Sequence, residues 1–329
     1  MTLRDITKVT GFTVNTVSRA LKGKGDISLG TRRLIQREAE KLGYIPNALA
    51  ASLRSGRTRT ISVIIPDISD PLFAILVRDI DSKLKERNFD LFIQNTDEDD
   101  VRERRAVMAS IGKKIDGVII CPCQKDPGNL SLLKNNQVPF VLLGRRFQPS
   151  AFSYVVADDV KGGFLATRHL IQRGHRDILF LNAPSYISSA RERLQGYRKA
   201  LASAGIPLRQ KLVREVAIRG GECARTLQGL MTDHTRFTAI FCFSDLMAWE
   251  AICFLQERGM RIPADVAIVG FDDIQSRLSY PYPLTSVGYG KQKIAFKSVD
   301  ALMKQIEHPA DGDQARLVVP VQLSVRMST

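Results

Sequence analysis

The sequence predicts an α/β protein with a small helical domain at the N-terminus and a larger body of parallel sheets flanked by helices. The first 45 residues contain short helical periods punctuated by glycines, whereas the rest alternates continuous apolar runs with amphipathic segments. Such alternation is typical of parallel sheets covered by helices on both faces. At 329 residues the chain is long enough for two or three domains.

The N-terminal stretch has the signals of two short helices joined by a tight turn. Thr2 is a good N-cap, and Asp5 can complete a capping box with it. Gly11 should end this helix, and Thr13 can cap a second one with an apolar stripe at spacings of three and four. This is the helix-turn-helix plan, whose second helix enters the DNA major groove, although an ordinary helical hairpin fits the stretch equally well.

A third helix is predicted over residues 28–42, and it would complete one small core with the first two. Its inner face is expected to consist of Leu34, Ile35, Ala39 and Leu42.

The outer side of the second helix carries residue types that contact bases. Val14 can meet a thymine methyl group, Asn15 can pair with adenine and Arg19 with guanine. A phosphate contact or a solvated surface charge is equally compatible with Arg19. The charge pattern favours a polyanionic partner, since residues 1–59 carry 12 basic and four acidic side chains, or +8 of the chain's net +14.

Residues 44–58 (YIPNALAASLRSGRT) indicate a linker with a short helix-capable segment over 47–53. A helix of this length is unstable alone in water and would need a partner or DNA. Leu53 is a candidate wedge for the minor groove, where apolar side chains unstack a base step. A flexible tether is the alternative interpretation.

Six segments of the chain resemble the lactose-repressor/galactose-repressor (LacI/GalR) family of transcription regulators. They are TVSRAL (16–21), LGYIPNALAASLRSG (42–56), HLIQRGHRDI (169–178), RERLQGY (191–197), SDLMA (244–248) and IPADVAIVGFDDI (262–274). The resemblance implies a homodimer that binds a pseudo-palindromic double-stranded operator, with Leu53 in the minor groove. The candidate DNA-binding residues are Thr2, Thr13, Val14, Asn15, Thr16, Ser18, Arg19, Asn47, Ala50, Leu53 and Arg54.

Seven apolar runs in the body predict strands, over 61–65, 91–93, 118–120, 140–143, 178–181, 239–243 and 266–269. The resemblance implies two subdomains like those of periplasmic sugar-binding proteins, joined by three crossovers. The expected division is a helix-turn-helix domain at 1–45, a hinge helix and linker at 46–59, one subdomain at 60–158 and 289–318, and the other at 159–288 and 319–329.

Two such subdomains would place the carboxyl ends of their strands around a shared cleft, where ligands bind. The resemblance matches Arg193 and Asp272 to the family's effector-binding arginine and aspartate, and Phe73 to an aromatic residue of related pockets. For each Asp or Ser, a helix N-cap is the alternative role. The candidate effector-binding residues are Asp67, Ser69, Phe73, Arg145, Arg193, Ser244, Asp245 and Asp272.

Two local features bear on this cleft. Ser189 and Glu192 form a good capping-box pair, which would start a helix there. Val216 stands where many family members have an aromatic residue, which leaves open whether a ring stacks on the effector from this side. Four arginines are expected near the cleft, namely Arg145, Arg146, Arg191 and Arg193. They favour an anionic ligand, although an ordinary charged surface explains them about as well.

Other classes of protein fit the sequence less well. It contains no Walker phosphate loop, dinucleotide fingerprint, nucleophile elbow or zinc-protease motif, so an enzyme is not expected. Five scattered cysteines indicate buried thiols, and no metal or cofactor is expected. The N-terminus lacks the apolar core of a signal peptide and no run of 18 apolar residues occurs, so a cytoplasmic protein without a membrane partner is expected, rather than an exported sugar-binding protein. The sequence therefore predicts a regulator, most simply a repressor, controlled by a sugar or sugar derivative.

Overall fold

The computed structural model describes residues 1–45, 56–147, 152–218, 220–280, 282–309 and 314–329. The chain forms two compact units, Met1–Thr58 and Arg59–Thr329, which we call the head and the body. The predicted hinge residues Asn47, Ala50, Leu53 and Arg54 lie outside the described part of the chain.

The described part of the head contains three helices, α1 (Leu3–Thr10), α2 (Val14–Leu21) and α3 (Leu29–Lys41). The predicted capping box is present, because the Thr2 amide donates to Asp5 Oδ2 at 2.8 Å. The core is small and consists of Ile6, Val17, Ala20, Ile35 and Ala39.

One prediction for the third helix was wrong. Leu34 was expected on the inner face of α3 but is 39% exposed. Ile35, which is fully buried, is one position further along. Adjacent residues of an α-helix point about 100° apart, so both cannot face the core of so small a domain.

The first sheet of the body contains six strands, and every strand pair in it is parallel. In spatial order the strands are β2 (Asp90–Asn95), β1 (Thr60–Ile65), β3 (Gly117–Ile120), β4 (Phe140–Leu143), β5 (Tyr154–Ala157) and β11 (Arg316–Val319). The helices between them are α4 (Pro71–Lys85), α5 (Asp100–Gly112) and α6 (Gly128–Asn135).

The second sheet also has six strands, of which only β12 is antiparallel to its neighbour. In spatial order they are β7 (Val213–Glu215), β6 (Ile178–Asn182), β8 (Ala239–Cys242), β9 (Ala267–Asp272), β10 (Thr285–Tyr289) and β12 (Val321–Ser324). The helices are α7 (Asp159–Gln172), α8 (Ser188–Ser203), α9 (Glu222–Thr232) and α10 (Asp245–Gln256), with 3₁₀ turns at Gln210–Leu212 and Ile274–Ser276.

Within the described residues the chain passes between the two sheets three times: from β5 to α7, from β10 to α11 (Lys291–Glu307), and from β11 to β12. Helix α11 returns to the first sheet, where the Gln305 side chain bonds both the amide and the carbonyl of Phe140. Each of the seven predicted runs lies on a strand, and no run extends more than one residue beyond its strand. The predicted fold class is confirmed.

Helices α7 and α8 approach so closely that only glycine fits between them. A Cβ atom on Gly196 of α8 would lie 2.1 Å from the carbonyl oxygen of Val160, and one on Gly163 of α7 would lie 2.2 Å from that of Arg193. Because backbone atoms form both contacts, no side-chain rearrangement can relieve them. This contact therefore sets the position of Arg193.

We expect Gly196→Ala to lower the free energy of unfolding by roughly 3 kcal/mol, the upper end of overpacking costs, since the helices must separate. Urea unfolding of the full-length protein measures this. Gly229→Ala is the matched control, because Gly229 lies in α9 with nothing within 4 Å of an added Cβ. That change should stabilise the protein by roughly 0.5–1 kcal/mol, and equal effects of both substitutions would contradict the close-packing argument.

Candidate DNA-binding and effector sites

Helix α2 turns one side to the core of the head and the other to solvent. Val17 and Ala20 are fully buried, whereas Val14 is 44% exposed and Asn15 and Arg19 are exposed. The candidates Thr16 and Ser18 of the same helix are half-buried. All five candidates on α2 therefore lie outside the core of the head.

The three candidate threonines of the head also hold helix ends. Thr2 Oγ1 donates to Asp5 Oδ2 at 3.0 Å, at the start of α1. Thr13 Oγ1 accepts the Thr16 amide at 3.2 Å and lies 2.9 Å from Thr16 Oγ1, at the start of α2. Both the capping role and exposure to a DNA phosphate are compatible with this geometry, since helix N-termini favour anions.

Arg19 already has an anionic partner. Its Nη2 lies 2.5 Å from Asp26 Oδ2, and both side chains are about half exposed. An ion pair of this exposure contributes little stability, about 0–1 kcal/mol, so it can be exchanged for a contact with DNA. The carboxylate of Asp26 would therefore compete with DNA for the guanidinium of Arg19, which the sequence offers as a candidate base or phosphate contact.

The body contains a cavity of about 940 Å³ at the carboxyl ends of strands from both sheets. From the first sheet it is lined by residues that follow β1 and β2. From the second sheet it is lined by residues that follow β7 and β8, including residues of α10. This is where parallel α/β folds place their ligands.

Three of the eight predicted effector residues line this cavity: Asp67, Phe73 and Ser244. Ser244 also caps α10, because its Oγ accepts the Met247 amide at 3.3 Å. Ser69 is exposed beside the cavity and its amide and hydroxyl donate to Asp67 Oδ1 at 2.8 and 2.7 Å. The Asp67 carboxylate therefore already accepts two bonds from within its own loop.

Arg193 lies in a buried network next to the cavity wall. Its guanidinium carbon is 3.5 Å from the ring centroid of Phe271 and 4.3 Å from that of Phe243. Its Nε donates to Asp159 Oδ1 at 2.8 Å, and its Nη1 donates to the carbonyl of Phe243, directly before Ser244. Its Nη2 is 3.9 Å from Asp272 Oδ1, so the structure brings the two residues matched to the family's effector pair together.

Asp272 ends β9 in an unusual backbone conformation. Its φ is +102°, and that of Asp273 is +47°. A non-glycine residue in this region stores of order 1–3 kcal/mol of strain, which is typical of ligand sites. Burial raises the pKa of Asp272 well above its ordinary value, and Tyr289 donates its hydroxyl to Asp272 Oδ1 at 3.2 Å.

Two further candidates are buried among protein partners. Asp245 accepts the Ile274 amide at 2.7 Å and the Ser286 hydroxyl at 2.5 Å, and burial raises its pKa to about 7. Arg145 donates to both carboxylate oxygens of Glu98 and, at 2.8 Å, to the carbonyl of Pro122. Neither side chain lines the cavity, and only Arg145 bonds a residue that does, Glu98.

The predicted capping box of α8 was wrong. The helix begins at Ser188, one residue before Ser189, and its N-cap Ile187 provides no side-chain bond. Instead, the Ser188 amide donates to Gln124 Oε1 at 2.8 Å. The helix start is satisfied by a side chain from the other sheet, which a local sequence pattern does not reveal.

Most of the cavity wall formed by α10, including Trp249 and Glu250, was not predicted from the sequence. Trp249 stacks on Tyr280 with ring centroids 3.9 Å apart, and its buried Nε1 has no hydrogen-bond partner among the described residues. Val216 lines the same cavity. The available signal was helical spacing: Trp249, Glu250 and Cys253 lie on the same side of α10.

A metal site and a membrane-spanning helix are two features that the sequence does not predict. Among the described residues, no group of three His, Cys, Asp or Glu side chains could hold a metal ion. None of the helices formed by the described residues is long and apolar enough to cross a membrane. Four cysteines are buried as predicted, whereas Cys253 is exposed.

A helix-turn-helix head and a body with a cavity between two largely parallel sheets are the parts of a ligand-controlled, DNA-binding transcriptional regulator. Residues 58–325 match the family model of periplasmic binding proteins and the sugar binding domain of the LacI family, and residues 2–47 match that of bacterial regulatory proteins of the lacI family. The chain belongs to the LacI family. The prediction of a regulator, not an enzyme, is confirmed by this membership, since family members are transcriptional regulators.

Individual relatives cover the whole chain. The transcriptional regulator DegA of Bacillus subtilis (strain 168) is 30% identical over 332 residues, covering 100% of this chain and 98% of DegA. The transcriptional repressor PurR of Haemophilus influenzae (strain PittEE) is 29% identical over 331 residues, covering 99% of this chain and 98% of PurR.

Solved structures show the same fold. A complex of the transcriptional regulator CelR with cellobiose has a TM-score of 0.75 at 30% identity, with both chains fully covered. The lac repressor dimer bound to operator and the anti-inducer ONPF has a TM-score of 0.86 at 24% identity, covering 100% of this chain and 98% of that chain.

The buried carboxyl groups predict a pH dependence of stability. Burial raises the pKa of Asp245 to about 7 and that of Asp159 to about 6. The folded protein therefore holds protons that the unfolded chain has released above pH of about 4. The free energy of unfolding should fall as the pH rises from about 4 to 7, by up to about 1.4 kcal/mol per pH unit for each proton.

We expect Asp245→Asn to make this fall less steep by up to about 1 kcal/mol per pH unit, because the amide keeps the acceptor for Ile274 but does not titrate. Urea unfolding at several pH values measures the slope. Asp265→Asn is the control: the pKa of this exposed carboxyl is lowered to about 2 by its bonds with Arg261, outside the window. An unchanged slope in Asp245→Asn would refute the assignment.

Proposed function

We propose that this LacI-family regulator is a repressor that binds a pseudo-palindromic operator as a homodimer and responds to a sugar-like effector in the cavity of the body. The observation that carries the proposal is the pairing of Arg193 with Asp272 at the strained end of β9, next to a large cavity. The family model for the body, which includes the sugar binding domain of the LacI family, supports the effector class. The cellobiose complex of CelR supports it too.

The head would contact one half-site, and two heads would address both halves, because protein symmetry is mirrored in the operator. Lys and Arg side chains would hold the phosphates, while Val14, Asn15 and Arg19 contact bases. The predicted segment 46–59 would act as a hinge helix and linker, with Leu53 in the minor groove and Asn47, Ala50 and Arg54 beside it. A repressor that acts on chromosomal DNA works in the cytoplasm.

The effector response would arise from two subdomains. We assign residues 60–158 and 289–318 to the first subdomain. Residues 159–288 and 319–329 form the second subdomain. The sheet order supports this division with two boundaries moved. The second subdomain extends to Tyr289, where β10 ends, and the first extends to Val319, where β11 ends. A ligand that fits one arrangement of the subdomains better than another would shift the equilibrium between them.

The DNA-binding half of the proposal is tested by selecting sites from a random double-stranded library with the full-length protein. We expect a pseudo-palindromic sequence to be enriched. Arg19→Ala should weaken binding to that sequence by about 1–3 kcal/mol more than binding to random DNA. Asp26→Asn should strengthen binding a few-fold, because it releases Arg19.

Glu40→Gln is the matched control for Asp26→Asn, since it removes the same charge from an exposed site of the head. Equal gains from both substitutions would mean that the general charge, and not the release of Arg19, is responsible. Enrichment of no sequence would contradict the proposed operator.

The effector half is tested by a thermal-shift screen of the full-length protein with sugars, sugar phosphates, nucleosides and nucleobases. A ligand at a hundred times its Kd adds about 2.7 kcal/mol of stability. We expect Asp272→Asn to abolish that shift while DNA affinity without ligand stays within about twofold. The conservative change avoids removing Arg193, which would leave Asp159 buried without its cation.

Asp265→Asn is the control, because it changes an exposed carboxyl group of the same body. This variant should retain the full ligand-induced thermal shift. A ligand-induced shift that persists in Asp272→Asn would remove this residue from the effector site.

A further inference from the structure

The connection between α2 and α3 of the head carries one carboxyl group in a stretch that is otherwise basic. Asp26 is the single acidic residue between Asp5 and Glu38. The basic residues of that stretch are Lys8, Arg19, Lys22, Lys24, Arg32, Arg33 and Arg37. Because every phosphate repels a negative charge, an exposed carboxylate here lowers the affinity of the head for DNA of any sequence.

The loop around Asp26 holds the carboxyl group in place. The Lys24 amide donates to the carbonyl of Arg19 at 3.1 Å, which folds the loop back onto the end of α2. Arg32 of α3 donates from Nη2 to the carbonyl of Lys24 at 2.7 Å. Ile27 packs against the core of the head. Asp26 lies between Lys24 and Ile27, so it reaches Arg19 from a loop that is tied to both helices.

The contact with Asp26 neutralises the charge of Arg19 on the outer side of α2. The atoms Arg19 Nη2 and Asp26 Oδ2 are 2.5 Å apart, and about half of each side chain is exposed. An arginine that binds a phosphate releases about one counterion from DNA, and this release drives binding that is independent of sequence. A neutral pair of side chains releases none. As long as the pair persists, Arg19 therefore adds little to the affinity for random DNA.

A phosphate and the edge of a guanine offer different things to this pair. A phosphate oxygen is an anionic acceptor like a carboxylate oxygen, so exchanging Asp26 for a phosphate gains little and brings two negative groups together. The O6 and N7 atoms of guanine are neutral acceptors. A guanidinium has five N–H donors, and Asp26 contacts that of Arg19 at Nη2. Donors on Nε and Nη1 are thus left for a guanine while the ion pair persists.

We propose that Asp26 is a specificity-determining residue of the head, which acts through Arg19 and contacts no base itself. It withholds Arg19 from the phosphates of random DNA and leaves it available to a guanine edge. The affinity for DNA in general is lower as a result, and the ratio of operator binding to random binding is larger. Asp26 is a positioning residue in this sense.

The inference rests on the proposed base contact of Arg19, and the two can fail separately. The base contact fails if Arg19→Ala weakens operator binding and random binding alike. The role of Asp26 fails on the salt dependence of Asp26 variants.

The test measures binding of the full-length protein to the selected operator and to random DNA of equal length over a series of salt concentrations. In Asp26→Asn, Arg19 gains a phosphate on random DNA, so the slope of log K against log salt concentration should steepen there by about 0.9 for each head. At about 0.1 M salt this corresponds to roughly tenfold tighter random binding for each head.

On the operator, Asp26→Asn should gain only a few-fold and should leave the slope nearly unchanged, because Arg19 contacts a neutral base edge there. The ratio of operator binding to random binding should therefore fall by roughly threefold for each head. An unchanged slope on random DNA would overturn the proposal, and that measurement needs no operator. Equal gains on both DNAs would overturn it as well.

Two further variants separate release of Arg19 from loss of a negative charge. Asp26→Glu keeps a carboxyl group within reach of Arg19 and should restore most of the ratio of operator binding to random binding. In an Arg19→Ala background, Asp26→Asn should change the slope on random DNA no more than Glu40→Gln does, since no guanidinium is left to release. A full tenfold gain in that background would show that charge alone is responsible and would overturn the proposal.

Discussion

The organisation of the second sheet depends on the burial of one guanidinium. Moving a cation from water into a protein interior costs several kcal/mol unless hydrogen bonds and an opposite charge compensate. Arg193 obtains this compensation from Asp159, from the carbonyl of Phe243 and from the faces of two phenylalanine rings. Its partners come from the start of α7, the end of β8 and β9, so these three elements are held in one arrangement. The glycine contacts between α7 and α8 permit the short distance that this arrangement requires.

The same end of β9 contacts residues that lie beside the crossovers. Asp272 and Asp273 both have positive φ values, and this strain persists because several groups hold them. Lys291, which begins α11 just after the second crossover, donates to the carbonyl of Asp273 at 2.8 Å. Arg326, beyond the third crossover, lies 2.5 Å from Asp273 Oδ1. Because Arg193 also binds Asp159, directly after the first crossover, all three passages between the sheets are connected to one short segment.

The sequence was a good guide where structure depends on local pattern. The continuous apolar runs mark strands, because strands buried on both faces need no polar side. Phe73 and Ser244 could be placed near the cavity, since both lie shortly after a strand. Trp249 and Glu250 could not, because their role depends on which side of α10 faces the first sheet. The partners of the four arginines could not be predicted for the same reason, because Glu98, Glu192, Asp159 and two carbonyls come near them only in the fold.

The cavity and the crossovers together explain how a ligand can act at a distance. Loops from both sheets line the cavity, and direct bonds such as that of Ser188 to Gln124, and the paired bonds of Arg277 to Asp79, link the two sides. A ligand that binds both walls favours the arrangement in which these bonds form, by no more than its difference in affinity, typically about 1–3 kcal/mol. The chain passes from body to head once, directly before β1 of the first sheet. Inducer and co-repressor can therefore use the same residues, since the sign of the response depends only on which arrangement suits the operator.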